Sequence, residues 1–211
     1  MKKQEIAVLI TSHNRKLKTV ECLKSLFEAY VPMEYNFDVF LLDDGSTDGT
    51  SEAVKALYPV VSVWHGNGNL YWARGMHLIW ERAMKEKDYD AFLLINDDVR
   101  LYNDFLINII KTDEYSLSHN GRSGIYSGAT IDEVTRKITY GGLKIKTNHF
   151  ILRLKQLTPT ETPQRCELTN ANILWVSKMA VENIGIFDKR FIHGIADYDY
   201  ALRAYKNNIP V

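Results

Sequence analysis

Short apolar runs alternate with amphipathic stretches along the first half of the chain, and this order constrains the fold more than any other feature. The apolar runs have the length of strands and lie at residues 6–11, 37–44, 60–65 and 91–96. The stretches between them, in which apolar residues recur at helical spacing, are 18–30, 50–58 and 71–86. Because alternating strands and helices build a mostly parallel sheet flanked by helices, the sequence predicts an α/β fold.

The second half follows this order less regularly. Glycine-containing segments at 121–130 and 140–145 predict short strands, and the Pro/Thr-rich segment 157–165 predicts a loop. A strand followed by a helix is predicted over 167–188, and a further helix is predicted over 197–208.

Composition limits the classes of partner. The 26 basic and 26 acidic residues cancel, so net charge gives no argument for a nucleic-acid binder or a polybasic membrane patch. Cys22 and Cys166 have no CxxC spacing, which fits a reducing compartment and supports neither a disulfide framework nor a cysteine zinc site. No apolar run approaches the roughly 20 residues that span a bilayer, so we expect at most peripheral membrane contact. A chain of 211 residues predicts a single domain over 1–211.

Each predicted strand of the first half ends in polar or small residues, where open α/β sheets bind their ligands. After the second strand, Asp44 begins a loop that has calcium-loop spacing, but the twelfth position is Lys55 instead of a bidentate Glu, which excludes that site. Helix capping by Thr47, Asp48 or Thr50 explains part of the loop. Capping does not account for Asp44, whose carboxylate can accept a hydrogen bond from a nucleobase N–H.

Two adjacent carboxylates, Asp97 and Asp98, follow the apolar run 91–96. Like charges about 4 Å apart repel by about 4 kcal/mol at an effective dielectric near 20, so the pair needs donors, water or a cation. In an extended segment the two side chains point in opposite directions, which predicts different roles. Asp98 is expected to coordinate Mg²⁺ or Mn²⁺, and Asp97 to contact the sugar or ribose. Without the other motifs, two adjacent acids at this position would be interpreted as a helix N-cap or a solvated turn.

Asp197 is the candidate general base. In the predicted last helix, Asp199 and Arg203 are four residues apart and can pair, whereas Asp197 has Ala201 at that spacing. A carboxylate at a helix N-terminus is stabilised in its ionised form and can accept a proton from a hydroxyl. Simple capping of the helix is compatible with the same position.

Several other motifs are absent from the sequence. The segment GNGNLYW has Tyr71 where a dinucleotide fingerprint requires its third glycine, and no P-loop, GxSxG or HExxH motif occurs. The four Trp residues are expected to pack in the core and in pocket walls.

Five segments resemble, in this order, the family 2 inverting glycosyltransferases, which have the GT-A nucleotide-diphospho-sugar transferase fold. Within that family, they resemble the rhamnosyltransferase-like branch. The segments are VLITSHNR, LLDDGSTDGT, GNLYWARGMHLIWERA, FLLINDDV and VENIGIFDKRFIHGIADYDYALRAYKNN.

The resemblance implies roles for the donor site. Thr11 and Asp44 would contact the nucleobase, and Arg74 would lie near the base or the phosphates. Asn96, Asp97 and Asp98 occupy the position of the family's DxD motif, with Asp98 as the ligand of Mg²⁺ or Mn²⁺.

The resemblance also makes Asp197 the catalytic aspartate, which deprotonates an acceptor hydroxyl and inverts the anomeric configuration. Three positions depart from the family pattern: Ala196 replaces a usual Glu, Asn96 replaces the first Asp of DxD, and Asn208 replaces a helix-ending Gly. Asn is the tolerated substitute for Gly in the left-handed conformation. The family chain continues beyond the position of Val211, so we expect a shortened C-terminus.

The expected function is transfer of a hexosyl or deoxyhexosyl group from a nucleoside-diphosphate-sugar to a glycan or lipid-linked acceptor. The expected place is the cytoplasm, at the inner face of a bacterial membrane, in polysaccharide biosynthesis of the envelope. Two alternatives remain open: a sugar-nucleotide-binding protein without turnover, and a Mg²⁺-binding receiver-type signalling domain.

Overall fold

The structure, a computed structural model, describes residues 2–148 and 151–211. In these residues the strands are β1 (Gln4–Ser12), β2 (Tyr35–Asp43), β3 (Ser62–His65), β4 (Ala91–Asn96), β5 (Ile125–Ser127), β6 (Thr130–Ile131), β7 (Ile138–Tyr140), β8 (Gly142–Asn148), β9 (Ile151–Gln156), β10 (Leu168–Thr169) and β11 (Ile173–Ser177). The helices are α1 (Lys16–Glu28), α2 (Thr50–Leu57), α3 (Tyr71–Glu86), α4 (Phe105–Asn120), α5 (Lys178–Ile184) and α6 (Ala196–Lys206). The strands and helices predicted for the first half are all present, and α4 is an additional helix.

A six-stranded sheet in the order β3-β2-β1-β4-β11-β5 forms the centre of the protein. The pairs β1/β2, β1/β4 and β2/β3 are parallel, and β11 runs antiparallel to both β4 and β5. Two smaller antiparallel sheets, β10-β8-β9 and β6-β7, come from the second half. The predicted mostly parallel α/β sheet is confirmed.

Helices cover both faces of the large sheet because residues of its strands alternate between the two faces. In β1, Ala7 and Leu9 join the core that includes α3, α5 and α6, whereas Val8 and Ile10 join the core with α1, α2 and α4. Two buried cores therefore hold the strands from both sides, so the polar side chains at the strand ends are fixed in position.

The carboxyl ends of β1, β2 and β4 meet at one edge of the sheet. Thr11 of β1 pairs with Leu42 of β2 and with Asn96 of β4, and Ser12 pairs with Asp43. Helix α3 packs closely against this edge. At Gly75 there is little room for a side chain, since an added Cβ would lie 3.0 Å from a side-chain carbon of Leu42. The loops that follow these strands consequently lie side by side.

The end of the chain lies against the second half of the molecule. Asn208 has φ +56°, which confirms the predicted left-handed residue after the last helix. The carbonyl of Pro210 accepts from the Ile125 amide at 2.9 Å, and that of Val211 accepts from the Cys166 amide at 3.1 Å. Cys22 and Cys166 are both free and buried. Among the described residues, no helix combines the length and apolar character needed to cross a membrane.

Candidate functional site

Asp44 ties two loops together at the edge of the sheet. It is buried, and its carboxylate accepts from the amides of Gly68 at 2.8 Å, Leu70 at 2.8 Å and Tyr71 at 3.0 Å. Its own carbonyl contacts Nδ1 of His13 at 2.6 Å. A carboxylate has about four lone-pair sites, so three amides leave about one for a further donor. Asp44 therefore shapes the loop before α3 and keeps limited capacity to bind a ligand.

The acidic pair differs from the sequence-based prediction in its geometry. Residues 97 and 98 form a turn after β4, and both carboxylates contact the same guanidinium. Nη1 of Arg15 donates to Oδ1 of Asp97 at 3.2 Å and to Oδ2 of Asp98 at 2.7 Å. The predicted opposite directions are wrong, because a turn does not have the two-residue alternation of a strand. Asp97 is buried and Asp98 is exposed, so the two acids still have different surroundings.

Hydroxyl groups of β1 and α1 lie against the acidic turn. The Thr19 hydroxyl lies 3.4 Å from Oδ2 of Asp97 and 2.8 Å from the Ser12 hydroxyl. Burial raises the pKa of Asp97, and the Arg15 guanidinium acts in the opposite direction. Beside the turn, the Asn96 amide oxygen accepts from Nε1 of Trp72 at 2.9 Å. Asn96 therefore anchors the end of β4 to α3.

Asp197 lies in the first turn of α6, as the sequence predicts. Its carboxylate accepts from the backbone amides of Ala171 at 3.2 Å and Tyr198 at 3.0 Å. Burial raises the pKa of Asp197, and these amide donors oppose the shift only in part. This direction is opposite to the effect of a helix N-terminus alone, which stabilises the ionised form. A carboxylate with a raised pKa is a stronger base than an ordinary Asp.

The predicted pair beside it is confirmed, since Nε of Arg203 donates to Oδ2 of Asp199 at 2.9 Å. The other guanidinium nitrogens of Arg203 donate to the carbonyls of Ile184 and Ile186. Ala196, where the family pattern has Glu, is buried in the core. Asp197 is consequently the acid of this helix that reaches the cleft.

One open cleft of about 2560 Å³ brings most of the predicted site residues together. The predicted residues that line it are Thr11, Asp44, Asp97, Asp98 and Asp197. Arg74 is exposed on α3 and does not line this cleft. Trp72 lies in the wall, whereas Trp80 and Trp175 are buried in the core, as expected for packing residues.

Arg15 and Tyr71 line the cleft and were not identified from the sequence. Arg15 contacts acids that lie more than 80 positions away, a distance that no local pattern encodes. Tyr71 is exposed in the cleft wall and has φ +56°, which is uncommon for a bulky residue. Its only sequence signal is its position directly after the glycine-containing segment 66–70, where a small residue would fit the backbone more easily.

The acidic turn has the donor set of a shared metal site. Mg²⁺ and Mn²⁺ are commonly held by one or two carboxylates together with substrate phosphates, and Asp97 and Asp98 offer two carboxylates at the cleft. Among residues 2–148 and 151–211, no group of three or more His, Cys, Asp or Glu side chains is placed to hold a metal by itself. The residues therefore fit a cation that a diphosphate helps to bind.

Comparison with known proteins now identifies the family. Residues 7–162 match the family described as Glycosyl transferase family 2, which is most of the chain. The chain belongs to glycosyl transferase family 2. No curated protein matches the sequence. Family membership, together with a parallel strand order that differs from the 2-1-3-4-5 of receiver domains, excludes the signalling alternative.

Solved structures show the same GT-A glycosyltransferase fold. The mannosyltransferase PcManGT from Pyrobaculum calidifontis, in complex with GDP-Man and Mn²⁺, has 14% identity and a TM-score of 0.63 over 94% of this chain and 51% of that chain. S. aureus TarS 1-349 in complex with UDP has 15% identity and a TM-score of 0.61 over 98% of this chain and 56% of that chain. GalNAc-T7 with UDP, GalNAc and Mn²⁺ has 13% identity and a TM-score of 0.65 over 99% of this chain and 42% of that chain. The family 2 chain thus spans about half the length of these proteins.

Proposed function

We propose that this family 2 protein transfers a hexosyl or deoxyhexosyl group from a nucleoside-diphosphate-sugar to a hydroxyl of a glycan or lipid-linked acceptor. The observation that carries the proposal is the presence of two separate acidic centres in one cleft: Asp97 with Asp98 at the end of β4, and Asp197 at the start of α6. The first centre suits a diphosphate with its cation, and the second suits proton removal. Transfer of a sugar from a donor to an acceptor requires the diphosphate-binding centre and the proton-accepting centre in the same cleft.

The donor is proposed to bind across the ends of β1, β2 and β4. PcManGT was solved with GDP-Man, and TarS was solved with UDP-GlcNAc, which supports a nucleoside-diphosphate-sugar as the class of donor. Thr11 and Asp44 are the proposed nucleobase contacts, since both line the cleft. Asp97 is the proposed contact to sugar or ribose. Arg74, which lies outside the cleft lining, is proposed as a contact that forms on donor binding.

Asp98 is proposed to hold Mg²⁺ or Mn²⁺. Such a cation supplies Lewis-acid stabilisation of the negative charge that the leaving nucleoside diphosphate gains. Arg15 donates to both carboxylates, so a cation and Arg15 compete for the same oxygens. The diphosphate would offer the released guanidinium a new anionic partner, and Arg forks bind phosphate well.

Asp197 is proposed as the general base. Its raised pKa gives it a higher affinity for the proton of an acceptor hydroxyl while it remains ionised above that pKa. The two backbone amides that it accepts from fix the carboxylate toward the cleft. Attack by the acceptor on the face opposite the diphosphate inverts the anomeric configuration.

The proposal is tested by thermal unfolding with UDP, dTDP, GDP and CDP, each with and without Mn²⁺. A ligand at 100 times its dissociation constant stabilises the fold by about 2.7 kcal/mol, which is readily measured. We expect stabilisation by one nucleotide that depends on Mn²⁺ and is lost in Asp98→Asn. Absence of stabilisation by all four nucleotides would contradict the donor site.

A further inference from the structure

Strands β8 and β9 place basic residues directly opposite one another. The antiparallel register pairs Lys144 with Lys155, and Lys146 with Arg153. Opposite side chains of antiparallel strands lie on the same face, with Cβ atoms about 4.5–5.5 Å apart. All four side chains are exposed. We call these four residues (Lys144, Lys146, Arg153 and Lys155) the basic hairpin face.

The basic hairpin face has no acidic partner in a salt bridge within the part of the chain that the structure describes, although the Glu167 carboxylate beside β8 accepts from the Ile145 amide at 3.1 Å. None of its four side chains forms a salt bridge there. Elsewhere on the surface, by contrast, Lys87 contacts both Glu5 and Asp38, and Lys178 contacts Asp88. Like charges directly opposite one another destabilise a strand pair. An external anion would remove that repulsion.

The apolar residues of the hairpin fix which face carries the charges. On the face away from the basic residues, Leu143 is buried, and Ile145 lies opposite Leu154, which is 44% exposed. A shift of one residue in register would exchange the two faces and turn the cations to the side on which Leu143 is buried. The outward direction of the four charges therefore follows from the packing of the small β10-β8-β9 sheet.

We propose that the basic hairpin face docks on an anionic lipid surface. The four charges lie on an open sheet face and do not line the cleft, so they suit an extended anionic surface better than a single enclosed anion. Each Lys or Arg near an anionic leaflet strengthens binding by about fivefold. The zero net charge does not oppose this contact, because charges are screened beyond about 8–10 Å and the membrane responds to the nearest face.

The test is co-sedimentation of the full chain with vesicles of phosphatidylcholine alone or with 30% phosphatidylglycerol. We expect binding only to the anionic vesicles and its loss in 0.5 M salt. The variant K144Q/K155Q should bind about 25-fold more weakly, which is two charges at about fivefold each. The matched control K85Q/K206Q removes the same charge from exposed lysines elsewhere and should bind like the unmodified chain.

Three outcomes would overturn the proposal. The first is absence of binding to anionic vesicles, and the second is equal weakening in the two double variants. The third is retention on soluble polyphosphate without binding to vesicles, which would assign the face to an anionic polymer instead. Thermal unfolding of K144Q/K155Q shows whether weaker vesicle binding results from a loss of folding stability. Removal of opposed like charges should leave the unfolding temperature unchanged or higher.

Discussion

Replacement of Arg15 by Gln should tighten Mn²⁺ binding in the absence of nucleotide. In the unmodified protein, a cation must displace the guanidinium, which donates to Asp98 at 2.7 Å and to Asp97 at 3.2 Å. Gln keeps a polar side chain but removes the positive charge and the fork of donors. The acidic turn would then be available to a cation without that competition.

The size of the effect follows from the geometry of the ion pair. A hydrogen bond to a charged group contributes about 1.5–3 kcal/mol, but solvent reduces this value at Arg15, whose side chain is 47% exposed. A net contribution of about 1.4 kcal/mol corresponds to a tenfold change in the dissociation constant. We therefore expect Arg15→Gln to bind Mn²⁺ about tenfold more tightly in calorimetric titration at low salt.

Two further variants make the titration decisive. Lys18→Gln is the matched control. Nζ of Lys18 lies 4.0 Å from Oδ2 of Asp98, which Arg15 also contacts. The Lys18 variant therefore removes an equal positive charge but leaves the contacts of Arg15 with both carboxylates in place. It should change Mn²⁺ affinity much less than Arg15→Gln. Asp98→Asn should lose binding. Equal effects of the Arg15 and Lys18 variants would refute the competition, whereas full Mn²⁺ binding by Asp98→Asn would refute the metal site itself.

Four more expectations concern the same cleft and its support. Asp197→Asn should retain nucleotide-dependent thermal stabilisation but lose sugar transfer, measured as release of nucleoside diphosphate; normal release would remove its role as base. Transfer should decline as the pH falls through the raised pKa of Asp197, because the protonated acid accepts no proton, and this acidic limb should lie above the ordinary Asp value of 3.8 in a pH–rate profile. Arg74→Gln should raise the KM for the donor with little change in kcat; unchanged donor kinetics would exclude the contact. Trp80→Ala should lower the free energy of unfolding in urea by about 3–5 kcal/mol, because the ring is fully buried among Phe92, Phe187 and Tyr200; a loss below about 1 kcal/mol would contradict its place in the core.

Local sequence patterns were sufficient for most of the sheet. Strand and helix periods differ, so the apolar runs at 6–11 and 91–96 indicate β1 and β4 without tertiary information. The pair of Asp199 with Arg203 and the left-handed Asn208 also follow from local rules. Helix α4 was not predicted, although Leu106, Ile109 and Ile110 have helical spacing.

Contacts between distant segments needed the tertiary structure. The pairing of Arg15 with Asp97 and Asp98 depends on β1 lying beside β4, and the turn that brings both acids to one guanidinium has no strand or helix period. The hydrogen bond that the Ala171 amide donates to Asp197 likewise joins segments that are distant in sequence. These features set the chemistry proposed for the cleft.

Apart from α4, the sequence by itself determined the order of strands and helices in the first half, the polar residues at the strand ends and the net charge of zero, because each is a local or summed property. Only the tertiary structure decided which of those residues meet. The clearest case is the hairpin of β8 and β9, where strand register gathers four cations on one face although the whole chain is neutral. The physical reason is that composition averages charge over the chain, whereas strand pairing fixes the position of each charge in space.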